Sequence, residues 1–286
     1  MKKQQIILAS SGFFLLVILY FFGQTIPPKK KNAIPVGENS ASQVKSIDIN
    51  DILQASKSKL KPDQQSFVNR LENAVVRGNV KEQQLKAYHQ LAAFWKDSVQ
   101  NGFLPFAYYN AQTAKLENSE KNLTFAAQLF LENLRIIDDK ALKSWMANQA
   151  KELFEKALQI NPDNDSSKVG LGACYIFGSD ASNQQEVMQG IQKILEVSRR
   201  DSTNMYAQFM LGLGGAVSGQ FDKAKERLEK VVRHQPDNLE AIMKLADINE
   251  QTGNKGDAVK WYEESKKLIT DPEVIKTINQ RIKSLQ

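Results

Sequence analysis

Cys174, His89, His234 and the adjacent acids Asp138 and Asp139 are the residues of this chain in which covalent or acid–base chemistry would first be sought. A thiol against an imidazole makes a nucleophile with its base. No local motif brings Cys174 to either histidine, and it follows Leu171, Gly172 and Ala173 in a helical pattern. A single cysteine in that setting reads as a small buried apolar side chain. His89 lies in a helical run at 85–91, and His234 stands at a helix end two residues before Pro236. An imidazole at such an end gains from the helix dipole. Neither histidine has the His-Glu-x-x-His spacing that puts two zinc ligands on one helix face. Adjacent carboxylates can divide acid and base roles, yet Asp138 and Asp139 fall in a turn after a helix and read as solvated. Gly212, Leu213, Gly214 and Gly215 lack the Lys-Ser or Lys-Thr ending of a phosphate-binding loop. The sequence therefore predicts no catalytic residue, no metal site and no cofactor. The chain is not read as an enzyme, and no small-molecule substrate is evident.

The elements that would position these residues announce themselves by interval. Ala150, Gly190, Ala224 and Ala258 are spaced 40, 34 and 34 apart. Phe154, Ile194, Leu228 and Tyr262 keep the same intervals, and so do Ala157, Val197, Val231 and Ser265. Small, large and small residues recurring together at such a period describe a stacked helical repeat. The clearest unit spans 205–238. Leu211 and Gly212 lie in its first helix, Gly219, Gln220, Phe221 and Asp222 in a turn, and Ala224, Leu228 and Val231 in its second helix. Pro236, Asp237 and Asn238 close it. The next unit carries Leu245, Ala246, Gly253, Ala258, Trp261 and Tyr262 in the same order. These residues resemble the tetratricopeptide repeat family, in which each unit is a hairpin of helices A and B.

Each part of the pattern has a mechanical cause. Small residues at Gly212/Ala246 and Ala224/Ala258 let the paired helices approach, and Leu211/Leu245 and Leu228/Tyr262 fill what remains. Gly219 and Gly253 supply a positive φ at a helix C-terminus. Pro236 cannot continue a helix. Pro162, Asp163 and Asn164 form the same closure earlier, and Ser202, Thr203 and Asn204 occupy its frame without proline. The unit ending at Asn204 is 40 residues long, and the polar stretch at 178–183 takes up the surplus. Upstream, a helix A over roughly 120–137 precedes Ala150, Phe154 and Ala157. Leu91, Ala92, Trp95, Ala107, Ala111 and Ala114 repeat the theme more loosely. The expected fold is an all-α tetratricopeptide-type solenoid over 84–271. Two amphipathic helices at 46–83 act as a cap or a degenerate unit, and 272–286 form a capping helix. In that last helix Val274, Ile275, Ile278 and Ile282 should face inward, and Lys276, Gln280, Arg281 and Lys283 outward.

The amino-terminal end is different in kind. Residues 6–22 are an apolar run broken only by Ser10, Ser11 and Gly12, preceded by Lys2 and Lys3 and followed by Pro27, Pro28 and three lysines. Seventeen helical residues reach roughly 25 Å, near the lower limit for a bilayer span. Residues 1–31 thus read as a single-pass membrane anchor with basic flanks, and 32–45 as a flexible tether. A cleaved signal peptide is the alternative, though Gly23, Gln24 and Thr25 make a poor cleavage site. The basic head resembles a bacterial signal-anchor, which would put the repeats outside the cytoplasm, in the periplasm if the source is bacterial.

A formal net charge of +6 invites a nucleic-acid reading. Five of the lysines fall in residues 1–31, which hold no acid, so the remainder carries 33 basic and 32 acidic residues. A phosphate-binding groove needs a stronger surplus, and no nucleic-acid partner is expected. A lone cysteine allows no internal disulfide.

In the tetratricopeptide family, helix A residues line a concave groove that holds segments of other proteins. The resemblance places Ser166, Val169, Ala173, Ile176 and Phe177 on that face, then Tyr206, Phe209, Leu213, Ala216 and Val217. Glu240, Met243, Asp247, Glu250 and Gln251 complete it, giving an apolar groove with an acidic end. Phe209 and Leu213 stand where the family's carboxylate clamp would have Lys and Asn, so no such clamp is expected there. Packing under a neighbouring helix would account equally for Phe177, Tyr206 and Phe209. The expected function is a membrane-tethered scaffold or adaptor that binds a partner protein or a second copy of itself. The alternative is an accessory factor in secretion, envelope assembly or chaperoning.

Overall fold

Helix caps and apolar stripes set the elements of this chain, and the computed structural model describes them for residues 47–78, 80–97, 99, 102–179 and 183–286. The anchor expected at 6–22 and the tether expected at 32–45 lie outside these residues. No helix among the described residues is long and apolar enough to cross a membrane.

Thirteen helices and no strand occupy the described residues. In chain order they are α1 (Ile49–Lys57), α2 (Pro62–Arg77), α3 (Lys81–Asp97), α4 (Phe103–Glu117), α5 (Glu120–Leu134), α6 (Lys140–Ile160) and α7 (Asp165–Gly178). Then follow α8 (Gln184–Arg200), α9 (Met205–Val217), α10 (Phe221–His234), α11 (Leu239–Gln251), α12 (Lys255–Lys266) and α13 (Pro272–Leu285). Successive pairs from α3/α4 to α11/α12 pack as antiparallel hairpins, and α5, α7, α9 and α11 also touch in sequence, A helix against A helix.

The caps explain why the helices begin where they do. Asn164, Asn204 and Asn238 each accept a hydrogen bond through the side chain from the backbone N–H three residues on, at 2.8, 3.0 and 3.0 Å. Each satisfies one of the four donors a helix start leaves open. The tripeptide that closes one unit therefore also starts the next, a role the sequence pattern left unread. At the other ends, Gly219 and Gly253 hold φ of 75° and 77°, as the turn requires.

Composition follows the layer. On α10, Ala224, Leu228 and Val231 are fully buried while its other faces carry lysines, glutamates and arginines. That is a helix packed along one stripe. On α9, every residue from Ala207 to Gly215 is buried, because α7, α8, α10 and α11 all contact it. Fully burying a leucine such as Leu228 contributes roughly 1.5–3 kcal/mol. A close backbone-to-backbone crossing is that of α7 on α8, where Gly172 and Gly190 meet. A Cβ on Gly190 would stand 2.4 Å from the Gly172 carbonyl oxygen. No larger residue fits without moving a helix.

Side-chain contacts tie both ends of the stack. Glu72 on α2 accepts from the Tyr109 hydroxyl on α4 at 2.6 Å and from Lys57 Nζ on α1 at 2.7 Å. At the carboxyl end, Ile278 and Ile282 of α13 are buried against Ala246, Ala258 and Tyr262. One expectation for α13 fails. Val274 is 43 % exposed, since only the later turns of the helix reach the stack. Arg281 lies on the exposed side as expected, and from there reaches Glu250 at 2.7 Å and lies over the Tyr262 ring at 5.4 Å. Glu250 and the aromatic face hold it there by charge pairing and by the ring quadrupole.

Candidate partner-binding groove

Where the A helices lie side by side they leave a cavity of about 880 Å³. The C-terminal ends of α5, α7 and α9 supply its floor, the start of α6 one wall, and α11 from Glu240 to Gln251 the other. Ile176, Phe177, Leu213, Val217, Met243 and Ile248 make the apolar part of the lining. Two apolar side chains there remain in water: Ile136 is 77 % exposed and Val217 49 %.

Arg135 is the main charge at the base of the groove. It follows the last turn of α5, and its guanidinium carbon lies 5.7 Å from the Phe177 ring centre and 5.8 Å from that of Phe209. Its side chain pairs with Glu240 on α11. Burial lowers its pKa from the ordinary value, opposed by Tyr206 and then Glu132, but an arginine stays charged at neutral pH. Burial likewise pushes the Tyr206 hydroxyl up, so both aromatic neighbours of Arg135 on α9 are neutral. The rim carries Lys140, Lys143 and Lys244 against Asp138 and Asp247.

Two models of the tetratricopeptide repeat match this chain, one over residues 209–272 and one over 146–164. Those residues carry tetratricopeptide repeats. Solved structures agree on the fold of these repeats. A thermophilic tetratricopeptide protein of Thermus thermophilus, TTC0263, superposes with a TM-score of 0.52 at 16 % identity, covering 72 % of this chain and 98 % of that one. PilW, described as a type IV pilus biogenesis factor, gives 0.50 at 17 % identity, over 70 % and 85 % of the two chains. No curated protein matches the chain.

The tetratricopeptide frame carried the A-helix positions onto the groove unevenly. Ile176, Phe177, Leu213, Val217, Met243 and Asp247 line the cavity. Val169 and Ala173 are fully buried, because α7 is packed between α5 and α9 and has less free surface than the frame allows. Ser166 is bonded to Gln128 of α5 at 2.9 Å. Phe209 is 8 % exposed beneath Arg135, and Tyr206 is partly buried beside it. Glu250 is engaged in the carboxyl-end contacts: its Oε2 lies 2.7 Å from both the Tyr262 hydroxyl and Arg281 Nε. Asp247 shares that hydroxyl at 2.9 Å and pairs with Lys244 at 3.5 Å. The acidic end expected of the groove is therefore neutralised from within. Arg135, Ile136, Lys140 and Lys143 were missed. The repeat pattern placed a helix A over roughly 120–137, where α5 lies, but carried no groove-face positions onto it.

The chemically suggestive residues take structural places. Cys174 is fully buried, and burial pushes its thiol up, away from the thiolate. Asp139 is the N-cap of α6, accepting from the Leu142 N–H at 2.8 Å. His89 lies 3.2 Å from Glu117, and His234 Nδ1 2.9 Å from the Lys230 carbonyl oxygen. No group of three or more His, Cys, Asp or Glu among the described residues could hold a metal.

Proposed function

We propose that the chain is a non-enzymatic scaffold that holds a segment of a partner protein in the groove between α6 and α11. One observation carries this reading. The groove keeps Ile136 and Val217 in water beside an apolar floor of Ile176, Phe177 and Leu213, and clustered exposed apolar surface marks interaction sites. A photo-crosslinking residue at Val217 should give an adduct in intact cells, while the same residue at the exposed Glu226 of α10 should not. Equal adducts at both, or none at Val217, would overturn the reading. An adduct of twice the chain's mass would identify the partner as a second copy.

Residues 6–22 are proposed to tether the repeats to a membrane, with the repeats outside the cytoplasm. The support is the apolar run and its lysine flanks. An anchor beside repeats suits accessory work in secretion, envelope assembly or chaperoning. Protease added to intact vesicles should degrade the repeats on one side only. Release of the chain by carbonate washing would remove the anchor.

A further inference from the structure

Arg135 and Glu240 sit on helices separated by α7 and α9, so their pairing is not a contact between neighbouring units. The two partners are held unequally. The Arg135 side chain is 15 % exposed and fixed over two rings, whereas Glu240 is 50 % exposed. A half-buried guanidinium requires an anion beside it, because losing one partner of a desolvated pair is costly. A rim carboxylate returning to water gives up little. The arginine is therefore the fixture and the glutamate its exchangeable occupant.

We propose that Glu240 fills, in cis, the place of a partner's carboxylate, so that the groove takes an acidic segment with an apolar side chain beside its Glu or Asp. This rests on the groove reading above and names its ligand class. When the segment docks, its carboxylate takes the bidentate face of Arg135 and Glu240 swings to solvent. Its apolar side chain covers Val217 and Ile136. The charges agree with an acidic occupant. Without Glu240 the lining carries Arg135, Lys140, Lys143 and Lys244 against Asp138 and Asp247, with Glu132 near Arg135, and Asp247 is already held by Tyr262 and Lys244. A partner cation would have to lift Arg135 from between Phe177 and Phe209.

The test uses the full-length chain in detergent and three short fluorescent peptides with both ends blocked. One is built of leucine, serine and glutamate, and in the others glutamine or lysine replaces the glutamate. By anisotropy, Glu240→Gln should bind the glutamate peptide on the order of tenfold more tightly than the unaltered chain, the scale of one charge-assisted hydrogen bond. Arg135→Gln and the fork-lacking Arg135→Lys should both weaken it, and melting curves confirm that each variant is folded. Equal affinity of Glu240→Gln and the unaltered chain for the glutamate peptide would overturn the exchange. So would a gain confined to the lysine peptide. If all three peptides bind alike, the exchange fails and the groove reading stands. If none binds any variant, both fail.

Discussion

Replacing Gly190 with alanine adds one methyl group where α7 and α8 cross. Its Cβ would stand 2.4 Å from the Gly172 carbonyl oxygen, 2.8 Å from Ile176 Cγ1 and 3.0 Å from Tyr175 Cβ. Carbon and oxygen rest at about 3.3 Å or more, and neither a carbonyl oxygen nor a Cβ can rotate aside. The helices must therefore separate by roughly 1 Å, which loosens the packing of the fully buried Ile194. Overpacking of this kind costs about 1–3 kcal/mol. Alanine in a helix interior recovers up to about 1 kcal/mol relative to glycine. The steric term wins, leaving a net loss on the order of 1–2 kcal/mol. In a domain of this size that lowers Tm by roughly 2–8 °C. Gly256, in the first turn of α12, supplies the control: nothing lies within 4 Å of its would-be Cβ. There the same substitution should raise stability by about 0.5 kcal/mol, less than at a mid-helix position. Thermal melts followed by circular dichroism read both variants. A Gly190→Ala chain that melts at or above the unaltered one would refute the claim that this contact sets the α7–α8 spacing. So would an equal fall in Gly256→Ala.

Four further outcomes follow from particular contacts. Asn238→Ala should cost about 1 kcal/mol in urea unfolding by opening the start of α11, and Asn238→Asp should restore most of it. The Tyr262 hydroxyl, and after it Arg281, hold the Glu250 carboxyl below its ordinary range. A pKa lowered by folding adds stability that is complete above the unfolded value of about 4.3 and is lost as pH falls through the folded one. Protection factors of the α13 amides (exchange rates corrected for the intrinsic pH dependence) should therefore fall below about pH 4.3, and Glu250→Gln should abolish that step. Cys174, buried and held as a thiol, should react with a disulfide reagent only after unfolding. Val217→Gln should leave stability unchanged within about 0.5 kcal/mol, whereas Leu213→Gln, at 5 % exposure, should lower it.

The repeats were legible because packing constrains the B helices twice, against their own A helix and against the next unit. Ala224, Leu228 and Val231 recur at fixed intervals as Ala258, Tyr262 and Ser265, all fully buried. The glycine turns were legible because a positive φ favours one residue type. The pairing of Arg281 was not, because an exposed cation on an amphipathic helix carries no mark of a partner 31 residues away. Arg135 was hidden for a related reason. It contacts rings and an acid on three later helices, and no local spacing encodes a contact that depends on how the units stack. The double role of Asn164, Asn204 and Asn238 was visible in principle, since a cap residue followed by an apolar run is a known signature of a helix start. Reading the tripeptides only as closures concealed it.

The free side of the A helices separates folding from binding in this molecule. An A helix inside the stack is covered by its own B helix and by a unit on each side, which leaves one narrow face open. On α11 that face is mixed, with Lys244, Asp247 and Gln251 beside Met243 and Ile248. On α9 the same face is Phe209, Leu213 and Val217, an apolar stripe at intervals of four. Only part of that stripe serves the stack. Phe209 and Leu213 are buried in the core, whereas Val217 is left half in water. Exposed apolar surface that adds nothing to the fold raises the risk of aggregation, and its persistence beside a half-buried cation needs a cause outside the fold. A segment that covers Val217 while giving Arg135 a carboxylate would satisfy both requirements at once, which is why the acid and the apolar side chain are expected on the same partner.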